Sequence, residues 1–394
     1  MKKYIHATES RMHRGTNGEI RSVNSADLRE SFAPWLEIFD EITVIARVDS
    51  RVGDDGYVVE RPDFRVHALP NYVGPLQFAK RYWAVRAGVR QACSDSRSFY
   101  GGRIPGVVSS LVLNRARRLR APFFAHVVGD AEAVLRTGVG GVLGRLVASR
   151  AGSAMRRQVK SAQAVLYVSD RYLQGKYPPA DDAPTIARSN VAMPPDALLS
   201  GPVGLRAGKQ GHFRLVAVGT QEQLYKGHDL LIQAVQPLAK RGLKVHVELV
   251  GGGRFQNELR EFASAQGVES DVAFRGHIDD PVQVREIIDD ADLFIMPSRT
   301  EGVPRALIEA MARAKPCLGS DAGGIPELLS EDALFASDDV DSMVDAILRA
   351  SNDREWMLAQ AKANLSKARE IAASGQDASF VAMLRVFSRD GRGR

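Results

Sequence analysis

From about residue 212 to 350, short apolar runs alternate with helical patterns, and this alternation restricts the chain's fold more than any other feature. RLVAVG (Arg214–Gly219), VHVELVGGG (Val245–Gly253), VAFRGHI (Val272–Ile278), DLFIMPS (Asp292–Ser298) and PCLGSD (Pro316–Asp321) read as strands and their turns. Between them DLLIQAVQPLAKRG (Asp229–Gly242), FQNELREFASAQG, VQVREIIDDA and PRALIEAMARA (Pro304–Ala314) carry helical spacing. Gly closes two of these helices, and Pro opens one where its missing N–H is harmless. Continuous apolar runs, rather than alternating ones, mark strands buried on both faces. Such strands separated by helices predict a parallel, doubly wound, Rossmann-like α/β domain over residues 212–353.

The first half shows the same alternation less cleanly. EITVIARV (Glu41–Val48), APFFAHVVG (Ala121–Gly129) and AVLYVS (Ala164–Ser169) read as strands, and 75–93 and 138–161 as helices. A second Rossmann-like domain is expected over 1–195. A linker is expected at 196–211, where Pro, Gly and polar residues gather, and a C-terminal helical region at 354–394. A chain of 394 residues has the length of two domains. Its two cysteines, Cys93 and Cys317, form neither a disulfide framework nor a zinc pattern and suit a reducing cytosol. The start, MKKYIHATES, lacks the apolar segment of a signal peptide, and no stretch reaches the roughly 20 apolar residues of a membrane span. The expected location is cytoplasmic.

Charge divides the chain. Residues 1–200 hold 29 Lys and Arg against 19 Asp and Glu, whereas the rest hold 24 against 28. Much of the excess lies in Arg103, Arg115, Arg117, Arg118, Arg120, Arg145, Arg150, Arg156, Arg157 and Lys160. Such a face attracts an anionic membrane surface or a phosphorylated substrate, or is ordinary solvated charge. Nucleic acid is not expected, because aromatic residues are not interleaved with the arginines.

The segment SRTEGVPRALIE (Ser298–Glu309) concentrates the chemistry. A strand ends at Ser298, a loop carries Glu301 and Gly302, and a helix begins near Pro304 with Glu309 in its second turn. Parallel sheets bind ligands beyond the carboxyl ends of their strands. Free N–H groups near Val303, Arg305 and Ala306 would favour an anion such as a diphosphate, and Gly302 permits close approach. One carboxylate can accept bonds from sugar hydroxyls and the other from a ribose diol. On spacing alone the alternative stands open: Glu301 a solvated loop residue, Glu309 a surface residue of an amphipathic helix.

Glu301 and Glu309 also form the E-x7-E pattern of retaining glycosyltransferases of family 4, and ADLFIMPSRTEGVPRALIEAMARAKPCLGSDAGGIPELL resembles that family throughout. The resemblance runs from about Arg214 to Leu334 and includes VGTQEQLYKGHDLLIQA, LVGGGRFQNEL and VAFRGHI in the family's order. It implies the GT-B fold: α/β, two Rossmann-like doubly wound domains facing across a cleft that closes to exclude water. It implies a nucleoside diphosphate sugar donor, UDP first and GDP next, on the C-terminal domain. Lys226 would contact the diphosphate, Gly219, Thr220, Gly251 and Gly252 would line the donor, and Arg275 and Gly276 would lie against the nucleobase. Thr220 stands where family members often carry Arg.

In the N-terminal half, a family histidine near the transferred sugar has no direct counterpart. His126 sits two residues early, and Asp130 at the strand's carboxyl end is the better placed polar group. Gly15 and Gly18, in HRGTNGEIRS, are candidates to approach the acceptor. VVGD and YVSDRYLQGKYPP resemble a bacterial subgroup tied to surface polysaccharide assembly. The acceptor is then a glycan, a lipid-linked glycan or a small molecule, and the protein can sit peripherally at the inner membrane face. No metal or other cofactor is expected, because the histidines show no ligand spacing. Two rival readings keep the fold: a nucleotide-sugar epimerase, and a non-catalytic partner subunit of a glycosyltransferase complex.

Overall fold

In a computed structural model the chain forms two compact units. Residues 1–23, 28–189, 191, 193–201, 211–374 and 378–390 are described. One unit holds Met1–Leu135, Gly140–Arg188 and Asp377–Arg394; the other holds Arg136–Val139 and Ser189–Gln376. Of the expected linker, residues 202–210 lie outside the described residues. Residues 196–201 bond to the second unit, where Leu199 N–H donates to the Ala312 carbonyl at 3.1 Å.

The first unit carries strands β1 (Lys3–Arg14), β2 (Ile20–Ser22), β3 (Glu41–Val52), β4 (Tyr57–Val58), β5 (Phe64–Pro70), β6 (Phe99–Ile104), β7 (Phe123–Val127), β8 (Ala164–Tyr167) and β9 (Thr185–Ala187). Seven of them pair in parallel in the order β5-β3-β1-β6-β7-β8-β9, and β2 and β4 add an antiparallel margin. Its helices are α1 (Leu28–Ser31), α2 (Ala33–Leu36), α3 (Gly74–Ala92), α4 (Val107–Leu119), α5 (Ala131–Arg136), α6 (Gly141–Lys160) and α7 (Tyr172–Lys176).

The second unit has β10 (Phe213–Val218), β11 (Val245–Val250), β12 (Val272–Gly276), β13 (Leu293–Met296), β14 (Cys317–Ser320) and β15 (Leu334–Phe335). Their order, β12-β11-β10-β13-β14-β15, is the doubly wound Rossmann order, with its reversal point beside β10 and β13. Helices α8 (His228–Lys240), α9 (Gln256–Ala265), α10 (Pro281–Asp290), α11 (Arg305–Ala312), α12 (Val340–Asn352) and α13 (Arg354–Ser374) cover it. IPELL makes only a short 3-10 turn, Ile325–Glu327. The core is aliphatic: Leu215, Val247, Leu249, Ile295, Leu307 and Met311 are all fully buried.

The expected C-terminal helical region divides between the units. Helix α13 belongs to the second, and α14 (Ala378–Asp390) belongs to the first. There Phe380, Met383, Leu384 and Phe387 complete an aromatic core with Tyr4, Phe32, Trp35, Phe39 and Phe124. Tyr4 stacks on Trp35 at 4.1 Å, and Phe380 meets Trp35 edge-on at 5.9 Å. Burying such rings, in offset or edge-on pairs, dominates the energetics of a core like this one.

Candidate active site

Three loops converge at the carboxyl edge of the second unit's sheet: 219–227 after β10, 251–253 after β11 and 297–304 after β13. Glycine makes the approach possible. Gly251 has φ 132°, and a Cβ there would strike the Gly219 carbonyl. Gly227 has φ 73°, and a Cβ there would lie 2.7 Å from the Pro297 carbonyl carbon. The backbone then locks the loops: Gln221 N–H donates to the Gly252 carbonyl at 2.8 Å and Arg299 N–H to the Tyr225 carbonyl at 2.7 Å.

Lys226 and Glu301 are brought together, 75 residues apart in sequence. Lys226 Nζ donates to Glu301 Oε1 at 2.6 Å, and buried Ser298 donates its hydroxyl to the same oxygen at 2.9 Å. Both side chains are mostly buried, at 19% and 10% exposure, yet open at the sheet edge. Gly219 lies beside this pair, its Cβ position 3.5 Å from Lys226 Cδ and from His228 Nε2. His228 is buried, and desolvation, aided by Lys226, lowers its imidazole to about 4 against a smaller pull from Asp229. It is therefore neutral at pH 7.

Arg299 fixes both loops at once. Its guanidinium donates to Asp229 at 2.9 and 2.8 Å, to the Leu224 carbonyl at 2.8 Å and to Asp338 at 2.6 Å. Bidentate geometry of this kind gives orientation as well as energy. Nothing in the sequence pattern gave Arg299, Ser298 or His228 a role; the partners of the Arg299 side chain lie 39 to 75 residues away. Gln221 is buried with neither amide atom bonded, and Thr300 is buried with its hydroxyl unbonded, among the described residues. Both sit in the converging loops, so polar capacity remains there for a ligand.

Helix α11 begins after Pro304, and Gly302, Val303 and exposed Arg305 lead into it. Glu309 is partly buried on its second turn. Burial pushes its carboxyl above the usual range, against the pull of Arg305 and Arg285. Thr220 is exposed; its hydroxyl donates to the Gly252 carbonyl at 3.3 Å and accepts from Glu222 N–H at 3.2 Å. Gly252 approaches His277, and Gly276 turns with φ 69°. Arg275 is turned onto Glu248 by two bonds of 2.6 and 2.9 Å, so its guanidinium is already engaged within the unit.

Asp130 is buried, and its carboxylate accepts four bonds. Oδ1 takes Tyr177 O–H at 2.5 Å and Ala133 N–H at 2.9 Å; Oδ2 takes Tyr172 O–H at 2.6 Å and Lys176 Nζ at 2.5 Å. A carboxylate has about four lone-pair sites, so none is left for a substrate. Burial weakens it as an acid, but the four donors outweigh that and hold the carboxyl below its usual range. Asp130 thus ties α7 and Tyr177 to the end of β7. Gly15 and Gly18 shape the turn of the antiparallel β1–β2 hairpin, where Gly18 N–H donates to the Gly15 carbonyl at 3.0 Å. His126 is buried on β7 beside Arg103 in register on β6, and its Nε2 has no partner among the described residues. Burial, with Arg103, His6 and Arg188, holds it neutral.

Residues 212–353 match the family described as glycosyl transferases group 1. Protein CapJ of Staphylococcus aureus is 26% identical over 327 residues, covering 82% of this chain and 80% of that protein. The structure of sucrose-phosphate synthase from Thermosynechococcus elongatus superposes with a TM-score of 0.70 at 15% identity, over 100% of both chains. HepE of Anabaena in complex with UDP superposes with a TM-score of 0.61 at 17% identity, over 95% of this chain and 98% of that one. Two Rossmann-like units, one of them carrying the group 1 region, define a GT-B protein, and the chain is a glycosyltransferase.

Proposed function

We propose that the enzyme is a retaining glycosyltransferase that draws on a nucleoside diphosphate sugar, UDP-linked first and GDP-linked next, bound at the carboxyl edge of the second unit. The paired Lys226 and Glu301 carry this reading: a cation for a diphosphate and a carboxylate for sugar hydroxyls, 2.6 Å apart at the switch point of a Rossmann sheet. The diphosphate takes Lys226 as a compact point charge and the N–H groups at the start of α11. As Lys226 turns to phosphate, Glu301 turns to the sugar, and Ser298 keeps its carboxylate in place. Glu309 accepts from the ribose diol. UDP in the HepE complex supports the choice of base.

In the reaction the bond from the anomeric carbon to the phosphate oxygen breaks. The acceptor hydroxyl bonds to the same face of that carbon, and its proton passes to the leaving phosphate. Helix dipole and Lys226 stabilise the leaving charge, so transfer proceeds without a metal ion and survives chelation. The acceptor is a glycan, lipid-linked glycan or small molecule held by the first unit, and the enzyme works peripherally at an anionic membrane surface in surface polysaccharide assembly. No helix among the described residues is long and apolar enough to cross a membrane.

The test is a thermal-shift screen against UDP, GDP, ADP and their sugars, followed by turnover of Glu301→Ala and Lys226→Ala. Binding to the native state raises the melting temperature by mass action. One nucleotide should give a shift, and both variants should lose turnover while melting like the parent. Full transfer by both would overturn the donor-site assignment.

A further inference from the structure

Helices α3, α4 and α6 lie side by side as one layer on the first unit's sheet, α3 against α4 and α4 against α6. Their residues include four Lys or Arg on α3, three on α4 and five on α6, and no Asp or Glu at all. A carboxylate reaches the layer from outside it, where Glu132 on α5 pairs with Arg156 on α6 at 3.6 Å.

Between α3 and α4 runs a groove of about 340 Å³ lined by Arg86, Arg90, Arg115 and Arg118, with Tyr82 and Asn114 and no carboxylate. Arg90 and Arg118 stand near helix C-termini, where a cation suits the dipole; Arg86 and Arg115 lie further in. The groove is built rather than incidental. Arg86 sits over the Tyr82 and Trp83 rings at 5.9 and 5.5 Å, and Arg115 is held by the Cys93 carbonyl at 3.1 Å. Four guanidinium groups facing one space repel until an anion joins them.

The groove's rim is apolar and open. Trp83 is 71% and Leu76 81% exposed, and with Lys80 they follow helical spacing along one stripe of α3. On α6, Val142, Leu143 and Leu146 are likewise exposed, interleaved with Arg145. Indole rings and leucines flanked by Arg and Lys match the boundary between lipid headgroups and acyl chains.

We propose that the α3–α4–α6 layer is the face by which the first unit docks on an anionic bilayer, with lipid phosphates in the arginine groove and Trp83 and Leu76 at the headgroup boundary. This rests on the peripheral reading above and names the surface that performs it. The occupant is chosen by charge: three helices without a carboxylate of their own, and a groove lined by four arginines, complement a surface of phosphates, and each cation near such a surface strengthens binding roughly fivefold.

The experiment is co-sedimentation of the full chain with vesicles of phosphatidylcholine alone and of phosphatidylcholine with phosphatidylglycerol at about 3:1. The parent should bind the anionic vesicles only, and less as salt rises. The variant Arg86→Gln/Arg115→Gln should bind on the order of 10-fold more weakly, and Leu76→Ser/Trp83→Ser several-fold more weakly, with unchanged melting and unchanged nucleotide shifts. Lys240→Gln/Arg241→Gln, on the second unit, should bind like the parent. If the parent ignores anionic lipid, both the peripheral reading and this face are wrong. If the parent binds and the groove variant binds equally, the membrane reading stands and this face is wrong. Millimolar glycerol phosphate that raises the melting temperature through the groove arginines, without vesicle binding, would overturn the bilayer in favour of a soluble phosphate. A concentration-dependent dimer abolished by the α3 variant would overturn it in favour of a second copy.

Discussion

Replacing Gly227 with Ala tests whether the approach of loop 219–227 to the end of β13 makes the donor site. Two effects must be separated. The left-handed conformation at φ 73° disfavours any side chain by about 1–2 kcal/mol. The second effect is collision: the new Cβ would stand 2.7 Å from the Pro297 carbonyl carbon, whereas ordinary contact begins at 3.4 Å, so the loops must part by about 0.7 Å or more. Lys226 moves with the loop, so its 2.6 Å bond to Glu301 opens in the free enzyme and its bond to the diphosphate is lost in the complex. A hydrogen bond to a charged group contributes about 1.5–3 kcal/mol. Nucleotide binding should therefore weaken roughly 10- to 150-fold. Gly242→Ala is the control: its φ is 89°, and its Cβ would meet nothing within 4 Å. Gly242→Ala should lose only the about 1–2 kcal/mol of the first effect in urea and Gly227→Ala more, and only Gly227→Ala should lose affinity for the preferred nucleotide in titration calorimetry. Equal, parent-like affinity in both would refute the claim that this approach positions Lys226.

Three further outcomes are expected. Asp130→Asn removes the charge facing Lys176 and turns a donor toward bonds that Asp130 accepts, so it should destabilise the first unit by about 3 kcal/mol or more. Nucleotide shifts should stay intact; parent-like stability with lost turnover would restore Asp130 to the catalytic machinery. His6 is lowered to about 3 by burial and Arg103, and His228 to about 4 by burial and Lys226. With folded values depressed, the stability they hold is present above about pH 6.5 and lost as pH falls, by up to about 1.4 kcal/mol per pH unit each. The loss levels off near pH 4 for His228 and near 3 for His6, and His228→Asn should flatten the urea-midpoint profile of the second unit. Glu309 is raised, so its effect has the opposite sign: stability is lost as pH climbs through its folded value. Glu309→Gln should then melt higher than the parent at pH 8 without ligand, while binding nucleotide more weakly; a lower melting temperature would contradict the burial argument.

The second unit was legible because strands buried on both faces are written as apolar runs, as in Leu215–Val218 of β10 and the whole of β13. The first unit hides its strands. β6 reads FYGGRI, with two glycines where apolar side chains would advertise it, and β1 alternates His, Thr and Ser with apolar residues across register shifts. Spacing pointed to Glu301 and the family resemblance to Lys226, each within a local motif. It could not show the bonds of Asp130, whose place at the end of β7 has the same local signature as a ligand-binding carboxylate. The three side chains that saturate it arrive 42 to 47 residues later. Arg299 was invisible for the same reason: its role consists of partners at 224, 229 and 338. The aromatic face of α14 is readable from Phe380 and Phe387, seven residues apart, but nothing local says that it belongs with Tyr4 and Trp35.

That return of α14 orders the protein's manufacture. The first unit's aromatic core is only part built when residue 188 leaves the ribosome, since Phe380, Met383, Leu384 and Phe387 are not yet made. At about 5–20 residues per second, the second unit takes on the order of 10–40 s to synthesise. Throughout that interval Trp35, Phe39, Phe99 and Phe124 lack the helix that covers them. The second unit, whose core draws on no residue beyond α13, can finish first although it is translated later. A nascent chain of this design presents a sticky, ring-rich surface to chaperones, and a stop codon just before residue 378 would harm the half of the protein made at the beginning.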